Sequence, residues 1–298
     1  MKKEITLAIL GGGTLGLIIA FGVWKGNSLF KIKKEIPTPT PQSVSDEQKN
    51  QTKTDQVIKI SNPNSLDVLV DSPVSLSGVT NPNSIVVISS EVSDSIISSN
   101  DSGTFSQDVD LIGGINRIRI TSFSPDGSSA ASNLLLIYSS QFTPKEGSEK
   151  ATAYIGTVTD ITNSVLQIKN NYGDVQQVLT DSKTQVVDTR NNLIKTLKSS
   201  DIAIGDFIIA MGYKDGNAIL STSRIVITEA LQNSTTTTFF GIVTDIGTGE
   251  ITARNPKTNE TVTITSKRLS QIKVNDKIIA VGEAKDGVID ARTLQTVK

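Results

Sequence analysis

Tyr154-Ile-Gly-Thr-Val-Thr-Asp-Ile161 and Phe239-Phe-Gly-Ile-Val-Thr-Asp-Ile246 are two writings of one strand, 85 residues apart. A second pair, Ile202-Ala-Ile-Gly-Asp206 and Ile272-Lys-Val-Asn-Asp276, recurs at an offset of 70, each followed by an apolar run that ends in Gly212 or Gly282. Lys214-Asp-Gly216 matches Lys285-Asp-Gly287. The chain is therefore duplicated over 151–229 and 235–298. The 15-residue difference in offset is an insert in the first copy, around Thr184–Leu197. Each copy reads as five or six short strands of alternating polarity, ending near Arg224–Ile227 and Arg292–Val297. Gly156 and Gly241 interrupt the first strand and suggest a bend or bulge. Gly205-Asp206 and Asn275-Asp276 are turns. Copies of this size can close as small barrels, which removes exposed edges. The second copy has few large apolar residues, so it is expected to lean on the first.

Upstream, residues 57–141 carry eight apolar-alternating runs: Val57–Ile60, Leu66–Val70, Val74–Gly78, Ile85–Ser89, Ser95–Ser98, Thr104–Leu111, Arg117–Ser122 and Leu134–Tyr138. Turn clusters such as Asn81-Pro-Asn-Ser84 and Pro125-Asp-Gly-Ser128 separate them. Frequent short strands with no helical period between them predict a two-sheet sandwich. The polar joints at Pro144–Lys150 and Ser234–Thr238 suggest separately folded modules.

Ile5–Trp24 is uncharged, and as a helix its twenty residues span about 30 Å, the thickness of a bilayer core. Lys2 and Lys3 precede it; Trp24 and Lys25 end it as an interfacial aromatic and a snorkelling cation would. The expectation is a cytoplasmic tip at 1–4 and a single-pass signal anchor at 5–24. Gly12, Gly16 and Ala20 fall on one helix face, the small-xxx-small spacing that would allow a weak helix-mediated homodimer, although glycine is also simply common in membrane helices. Ala20 and Gly22 offer a competing cleavage site, but the apolar stretch is longer than an ordinary signal core. From Thr38 to Gln56 only Val44 is apolar apart from prolines. With Ile36-Pro-Thr-Pro-Thr-Pro41 it makes residues 25–56 a linker that cannot offset the entropy of ordering.

Composition removes whole chemistries. The chain has 298 residues, net charge −1, no Cys and no His. That leaves no thiolate nucleophile, no imidazole base and no Cys/His metal site. No segment has the basic stripe that nucleic-acid binding needs. Aromatic residues are 4% of the chain, too few for base-stacking platforms, and Tyr154, Phe239 and Phe240 read as core. Gly11-x-Gly13-x-x-Gly16 spells a dinucleotide fingerprint outside any βαβ unit. Asp108-x-Asp110 lacks the ordered spacing of a calcium loop and reads as a solvated face. Ser270-x-x-Lys273 mimics a penicillin-binding dyad without its companion motifs, and the first copy has Ala203 where the second has Lys273. Asp160, Asp245, Asp206 and Asp276 are expected to cap turns rather than catalyse. No catalytic residue, cofactor or metal is expected, and the chain reads as a non-enzyme.

Val74-Ser-Leu-Ser-Gly-Val-Thr80, Asn81-Pro-Asn-Ser-Ile-Val-Val-Ile88, Ser102-Gly-Thr-Phe-Ser106 and Gly114-Ile-Asn-Arg-Ile-Arg-Ile120 resemble bacterial Ig-like domains similar to the B domain of glucodextranase. The resemblance implies an antiparallel sandwich used as a spacer or adhesive module in exported proteins, with no catalytic motif to transfer. The Gly-x-Val-Thr-x-Ile and Ile-x-x-Gly-Asp-x-Ile patterns look like an uncharacterised bacterial exported family of tandem small β-barrels. Copy two departs from it at Asn275 and lacks the insert. The barrel shape resembles the OB-fold, which binds oligonucleotides or oligosaccharides. The expected fold class is thus mainly β: an N-terminal transmembrane helix, an Ig-like sandwich and two OB-like barrels. The lysines after the helix, Lys25, Lys31, Lys33 and Lys34, outnumber those before it, which by charge alone would hold the chain in the cytoplasm. The terminal position of the segment, the exported-family resemblances and the Pro-Thr spacer outweigh that count and place residues 31–298 outside. The expected function is a membrane-anchored envelope scaffold, spacer or adhesion module. The alternative is an accessory protein that binds glycan, peptide or peptidoglycan through the barrels. The expected partners are the lipid bilayer, a cell-wall glycan or an envelope protein, and not nucleic acid.

Overall fold

Period-two alternation governs the chain: among the described residues only strands and three short 3-10 turns form. The computed structural model describes residues 56–147, 150–232 and 235–297. Ile5–Trp24, with Gly12, Gly16 and Ala20, and the linker through 55 lie outside the described residues. No helix among the described residues is long and apolar enough to cross a membrane.

The first eight strands are β1 (Ile58–Asn62), β2 (Val68–Leu69), β3 (Val74–Thr80), β4 (Ile85–Ser89), β5 (Asp94–Ser98), β6 (Thr104–Val109), β7 (Gly114–Phe123) and β8 (Ser129–Tyr138). They form a three-stranded sheet, β1-β3-β6, and a five-stranded sheet, β2-β8-β7-β4-β5. Leu76 and Phe105 from the first sheet meet Val86, Ile88, Ile118, Ile120, Leu134 and Leu136 from the second in one buried cluster, so the pair is a β-sandwich. Every run foreseen in the sequence is a strand. The first half of β8, Ser129-Ala-Ala-Ser-Asn133, was not foreseen because it lacks β-branched and aromatic residues. Gln56 is a correction at the boundary. Composition assigns it to the linker, yet it is 9% exposed and its amide donates to Thr80 Oγ1, Ser84 Oγ and Ser122 Oγ at 3.1, 3.1 and 2.5 Å. Its polarity serves a buried hydroxyl cluster rather than solvent.

The first copy holds β9 (Thr152–Thr162), β10 (Val165–Lys169), β11 (Val175–Leu179), β12 (Gln185–Asp188), β13 (Lys195–Leu197), β14 (Phe207–Lys214) and β15 (Leu220–Ile227). The second holds β16 (Thr236–Ile246), β17 (Glu250–Arg254), β18 (Thr261–Thr265), β19 (Lys277–Lys285) and β20 (Val288–Val297), closed as a barrel in the order β16-β17-β18-β20-β19. The first copy has the same ring, β9-β10-β11-β15-β14, its last gap closed by the parallel pairing of Val178 and Leu179 with Leu220 and Ser221. The insert adds β12 and β13 to the edge of β15. Both interiors repeat residue for residue: Tyr154, Val158, Ile208 and Ala210 fill one, and Phe239, Val243, Ile278 and Ala280 the other.

The bulges sit elsewhere than Gly156 and Gly241. The ladders skip Thr159 and Thr244, three residues on, where each threonine Oγ1 donates across the bulge to Gln167 O or Thr252 O at 3.2 Å. Gly156 answers to close packing instead: a Cβ there would lie 2.3 Å from Lys169 O. A second bulge follows Met211 and Val281, where Gly212 and Gly282 take the crossing strand so closely that a Cβ would meet Ser221 O at 2.1 Å or Asp290 O at 1.9 Å.

Among the described residues no apolar cluster joins side chains of the two barrels. Both lean on the outer face of the five-stranded sheet through matching outer positions. From barrel one, Ile155, Phe207, Ile209 and Met211 pack on Ile137, Ile115, Leu135 and Val68 of the sheet, with Phe142 from the joint. From barrel two, Phe240, Ile279 and Val281 pack on Val87, Phe123, Ile85 and Ile96, and Phe240 stacks on Phe123 with centroids 5.7 Å apart. Separately folded modules would expose these faces; here each is covered by the sandwich.

Candidate functional site

β7 runs between the two docked barrels, and its outward residues change character along the strand. Ile115 lies in the barrel-one seam and Phe123 in the barrel-two seam. Between them, Arg117, Arg119 and Thr121 face outward, because Ile118 and Ile120 fill the sandwich core. The gap over this stretch is a cleft of about 550 Å³ that all three modules line. Arg117, Arg119 and Asn133 come from the sheet, Asn171 and Tyr172 from barrel one, and Gln232 from the connector.

Arg117 is engaged: its Nε donates to Glu91 Oε1 at 3.1 Å, and Nη1 donates to the carbonyl of Gln232. Arg119 makes no hydrogen bond or ion pair with any described residue, and its Nε is buried. Thr121 Oγ1 and Thr238 Oγ1 are also buried without partners, each two residues before a ring of the Phe123–Phe240 stack. An orphaned polar group of this kind costs about 1–3 kcal/mol unless water or a ligand meets it. Tyr172 sits at the tip of the β10–β11 turn, 92% exposed, held there by Asn170, whose Oδ1 accepts from the amides of Tyr172 and Asp174. An uncommitted guanidinium, three carboxamides and a bare aromatic face can hydrogen-bond and stack on a polar ligand.

A second cavity of about 440 Å³ lies where barrel one meets the sandwich, lined by Arg224, Met211, Ile194, Thr189 and Gln141 among others. Burial pushes the Arg224 guanidinium down from its ordinary value. A third hollow holds Arg292, whose guanidinium is clamped by Asp94 at 2.7 and 2.9 Å and pushed upward by it.

The residues weighed from sequence sort cleanly. Tyr154, Phe239 and Phe240 are buried, as read, and no exposed aromatic pair spans the two barrels. Asp206 and Asp276 cap turns, accepting from the amides of Ala203 and Lys273 at 2.9 and 2.8 Å. Asp160 and Asp245 do not; they sit in strand positions just past the threonine bulges. Ser270 is exposed within the 3-10 turn Leu269–Gln271 and Lys273 is exposed two residues past it, so the pair is not on an α-helix. Asp108 and Asp110 are exposed at the edge strand, and no group of three acidic side chains among the described residues could hold a metal. Sequence reasoning passed over Arg119, Tyr172 and Arg224. The signal for the first was Arg117-x-Arg119 alternating with Ile118 and Ile120; for the second, an aromatic inside the turn Asn170-Asn-Tyr-Gly-Asp174.

No protein-family model matches the chain, and no curated protein is significantly similar to it in sequence. Solved structures similar to it include a β-glucuronidase of Bacteroides uniformis, at 11% identity and TM-score 0.26, covering 82% of this chain and 25% of that one. A structure on host cell surface retention of a 1.5-MDa bacterial ice-binding adhesin matches at 14% identity and TM-score 0.21, over 82% and 96% of the two chains. A Ca2+-stabilized adhesin with which an Antarctic bacterium binds ice matches at 15% and 0.23, over 82% and 72%. The chain spans about a quarter of the glucuronidase's length. At these TM-scores no argument about activity passes from those proteins to this chain.

Proposed function

We propose that this chain is a single-pass, membrane-tethered protein of the bacterial envelope, non-enzymatic, with residues 31–298 outside the cytoplasm. It acts as a scaffold or adhesion module: an Ig-like sandwich carrying two OB-like barrels of the exported-family kind at the end of a Pro/Thr-rich spacer. The observation that carries this reading is the pair of apolar seams, which join sandwich and barrels into one body. Such a body suits the presentation of a fixed surface at a distance, since the 21 residues from Glu35 to Asp55 can reach about 70 Å. Among the described residues lining the cleft the one carboxylate, Glu91, is ion-paired with Arg117 at 3.1 Å, which supports a binding role over a catalytic one. The test is protease added to intact cells. Cleavage within 36–55 should release an intact fragment from Gln56 onward before any cut at 142–147. Protection of that fragment until the membrane is broken would overturn the orientation and the envelope role together.

A second reading is favoured by the cleft itself. Arg119, Asn133, Asn171 and Tyr172 offer the donors and the ring face that a saccharide uses, so the cleft, more than the barrel surfaces, is where a cell-wall glycan would bind. Retarded migration of the protein in gels containing cell-wall polysaccharide, lost in Tyr172→Ala and Arg119→Gln, tests it.

A further inference from the structure

Arg224 stands on β15 opposite Met211 and points out of barrel one toward the sandwich. It is 8% exposed, so its charge is largely withdrawn from water. Nη1 donates to Gln185 Oε1 at 3.0 Å and Nη2 to Gln141 Oε1 at 2.7 Å; Nε is buried without a partner. No carboxylate among the described residues pairs with it; Glu229, the acidic residue in the lining of its cavity, makes no ion pair. A guanidinium has five hydrogens to give, so two neutral amide oxygens leave each Nη with one unspent and the charge uncompensated. Buried charges in folded proteins are paired as a rule. This guanidinium lines a cavity of about 440 Å³.

The duplication supplies an internal control. The register position of Arg224 is filled in copy two by Thr293, opposite Val281, and Thr293 donates to Asp94 Oδ2 at 2.7 Å. Its neighbour Arg292 has the same carboxylate at 2.7 Å. Copy two thus meets its rim cation with an acid from the sandwich, and copy one does not. Copy one instead adds the insert, which brings Val187, Thr189 and Ile194 to the cavity wall. Ile194 is 84% exposed at the mouth, while Ile209 and Met211 make an apolar inner wall.

We propose that this cavity is a binding site for carboxylates that carry an apolar body, the carboxylate seated on Arg224 and the apolar part between Ile194 and the Ile209–Met211 wall. Two sources present that chemistry, the C-terminus of a peptide ending in an aliphatic residue and a free acyl chain. The site is separate from the glycan cleft and does not depend on it.

The test is isothermal titration of the full chain in lipid nanodiscs, corrected with empty nanodiscs, using N-acetylleucine and octanoate, each beside its primary amide. At least one acid should bind, and about tenfold or more tighter than its amide, as a charge-assisted pair to Arg224 requires. N-acetylleucine alone points to peptide termini, octanoate alone to acyl chains, and both to the shared chemistry. Arg224→Gln should abolish the preference for acid over amide. Because that residue is buried, Ile194→Glu serves as a second variant: it changes an exposed side chain, puts a negative charge at the mouth and should weaken the acid about tenfold while leaving thermal unfolding unchanged. Absence of binding by both acids, equal binding of acid and amide, or undiminished acid binding in both variants overturns the proposal.

Discussion

Barrel one and barrel two enclose the same interior and dock on the same sheet, but they fasten themselves differently. Barrel one relies on breadth. Its seam draws on Ile155, Phe207, Ile209 and Met211, on Phe142 from the joint, and on Tyr213, whose hydroxyl accepts from the Lys145 amide at 2.5 Å. Barrel two has a narrower seam, Phe240, Ile279 and Val281, and reinforces it with polar ties. Arg292 and Thr293 hold Asp94, Lys257 reaches Asp126 at 3.0 Å, and Asn255 donates to Gly127 O at 3.2 Å. A duplicated unit has kept its core and diverged on the surface that the fold must bury. Barrel one is tied as well, but by backbone where it leaves the sandwich: Val68 N donates to Ala151 O at 3.0 Å and Ala153 N to Leu66 O at 2.9 Å, whereas the ties of barrel two run through side chains.

The largest break expected in this comparison is at the apolar centre of the narrow seam. Phe240→Ala removes a ring that is 1% exposed and stacked on Phe123, and should cost about 3–5 kcal/mol. Its counterpart in copy one, Ile155→Ala, should cost less, about 2–3 kcal/mol, because Phe207, Ile209, Met211, Phe142 and Tyr213 share that seam. Urea unfolding with a fixed slope measures both. Equal losses would mean that the two seams are not organised differently.

A smaller effect tests the polar ties. Asp94 has a side chain only 2% exposed and three donors on its two oxygens, two from Arg292 and one from Thr293. Asp94→Asn keeps the shape but removes the charge facing Arg292, which is 44% exposed and can turn to water. The expected loss is about 1–2 kcal/mol, below that of a fully buried pair. It should shrink in 1 M salt, where screening weakens the wild-type pair. A loss under about 0.3 kcal/mol would mean that the seam alone holds barrel two.

Most of this architecture is legible in the sequence, and the part that is not has a common cause. The strands follow from alternation, and the insert follows from two offsets that differ, because both are properties of the chain read along itself. The structure puts β12 and β13 within the stretch, Thr184–Leu197, that the offsets marked. The docking faces could not be read. Ile155, Ile209 and Met211 look like core residues of a buried strand, and period two does not say which of two apolar faces lines the barrel and which meets a neighbour. Arg119 and Arg224 were invisible as sites for the complementary reason. An arginine on an alternating strand, as in Ile118-Arg119-Ile120 or Ser223-Arg224-Ile225, reads as a solvated residue until another module covers it. Gln56 was misplaced likewise, since a glutamine after a polar run gives no sign that four hydroxyls await it.

The smallest expected effect concerns the turn that joins the second and third strands of each barrel. In copy one this turn, at Asn170–Asp174, carries Tyr172 into solvent; in copy two, at Asn255–Glu260, it sits on the sandwich turn at Asp126–Ser128. The Ser128 hydroxyl and amide, and then Lys257, hold the Asp126 carboxyl down at about 2, below its ordinary 3.8. A depressed carboxyl contributes stability above its unfolded value, and that contribution fades as pH falls from about 4 through 2. Its size is modest, because the Asp126 side chain is 54% exposed and its main partner belongs to the same turn. Lys257→Ala should therefore cost only a few tenths of a kcal/mol at pH 6, and the difference from wild type should narrow by about half or more at pH 2. Tyr172→Ala, the matching change in the undocked turn, should leave stability unchanged at both values. Melting curves at the two pH values settle it. A Lys257→Ala loss that is undiminished at pH 2 would assign the tie to packing of the lysine stem on the sandwich rather than to its charge.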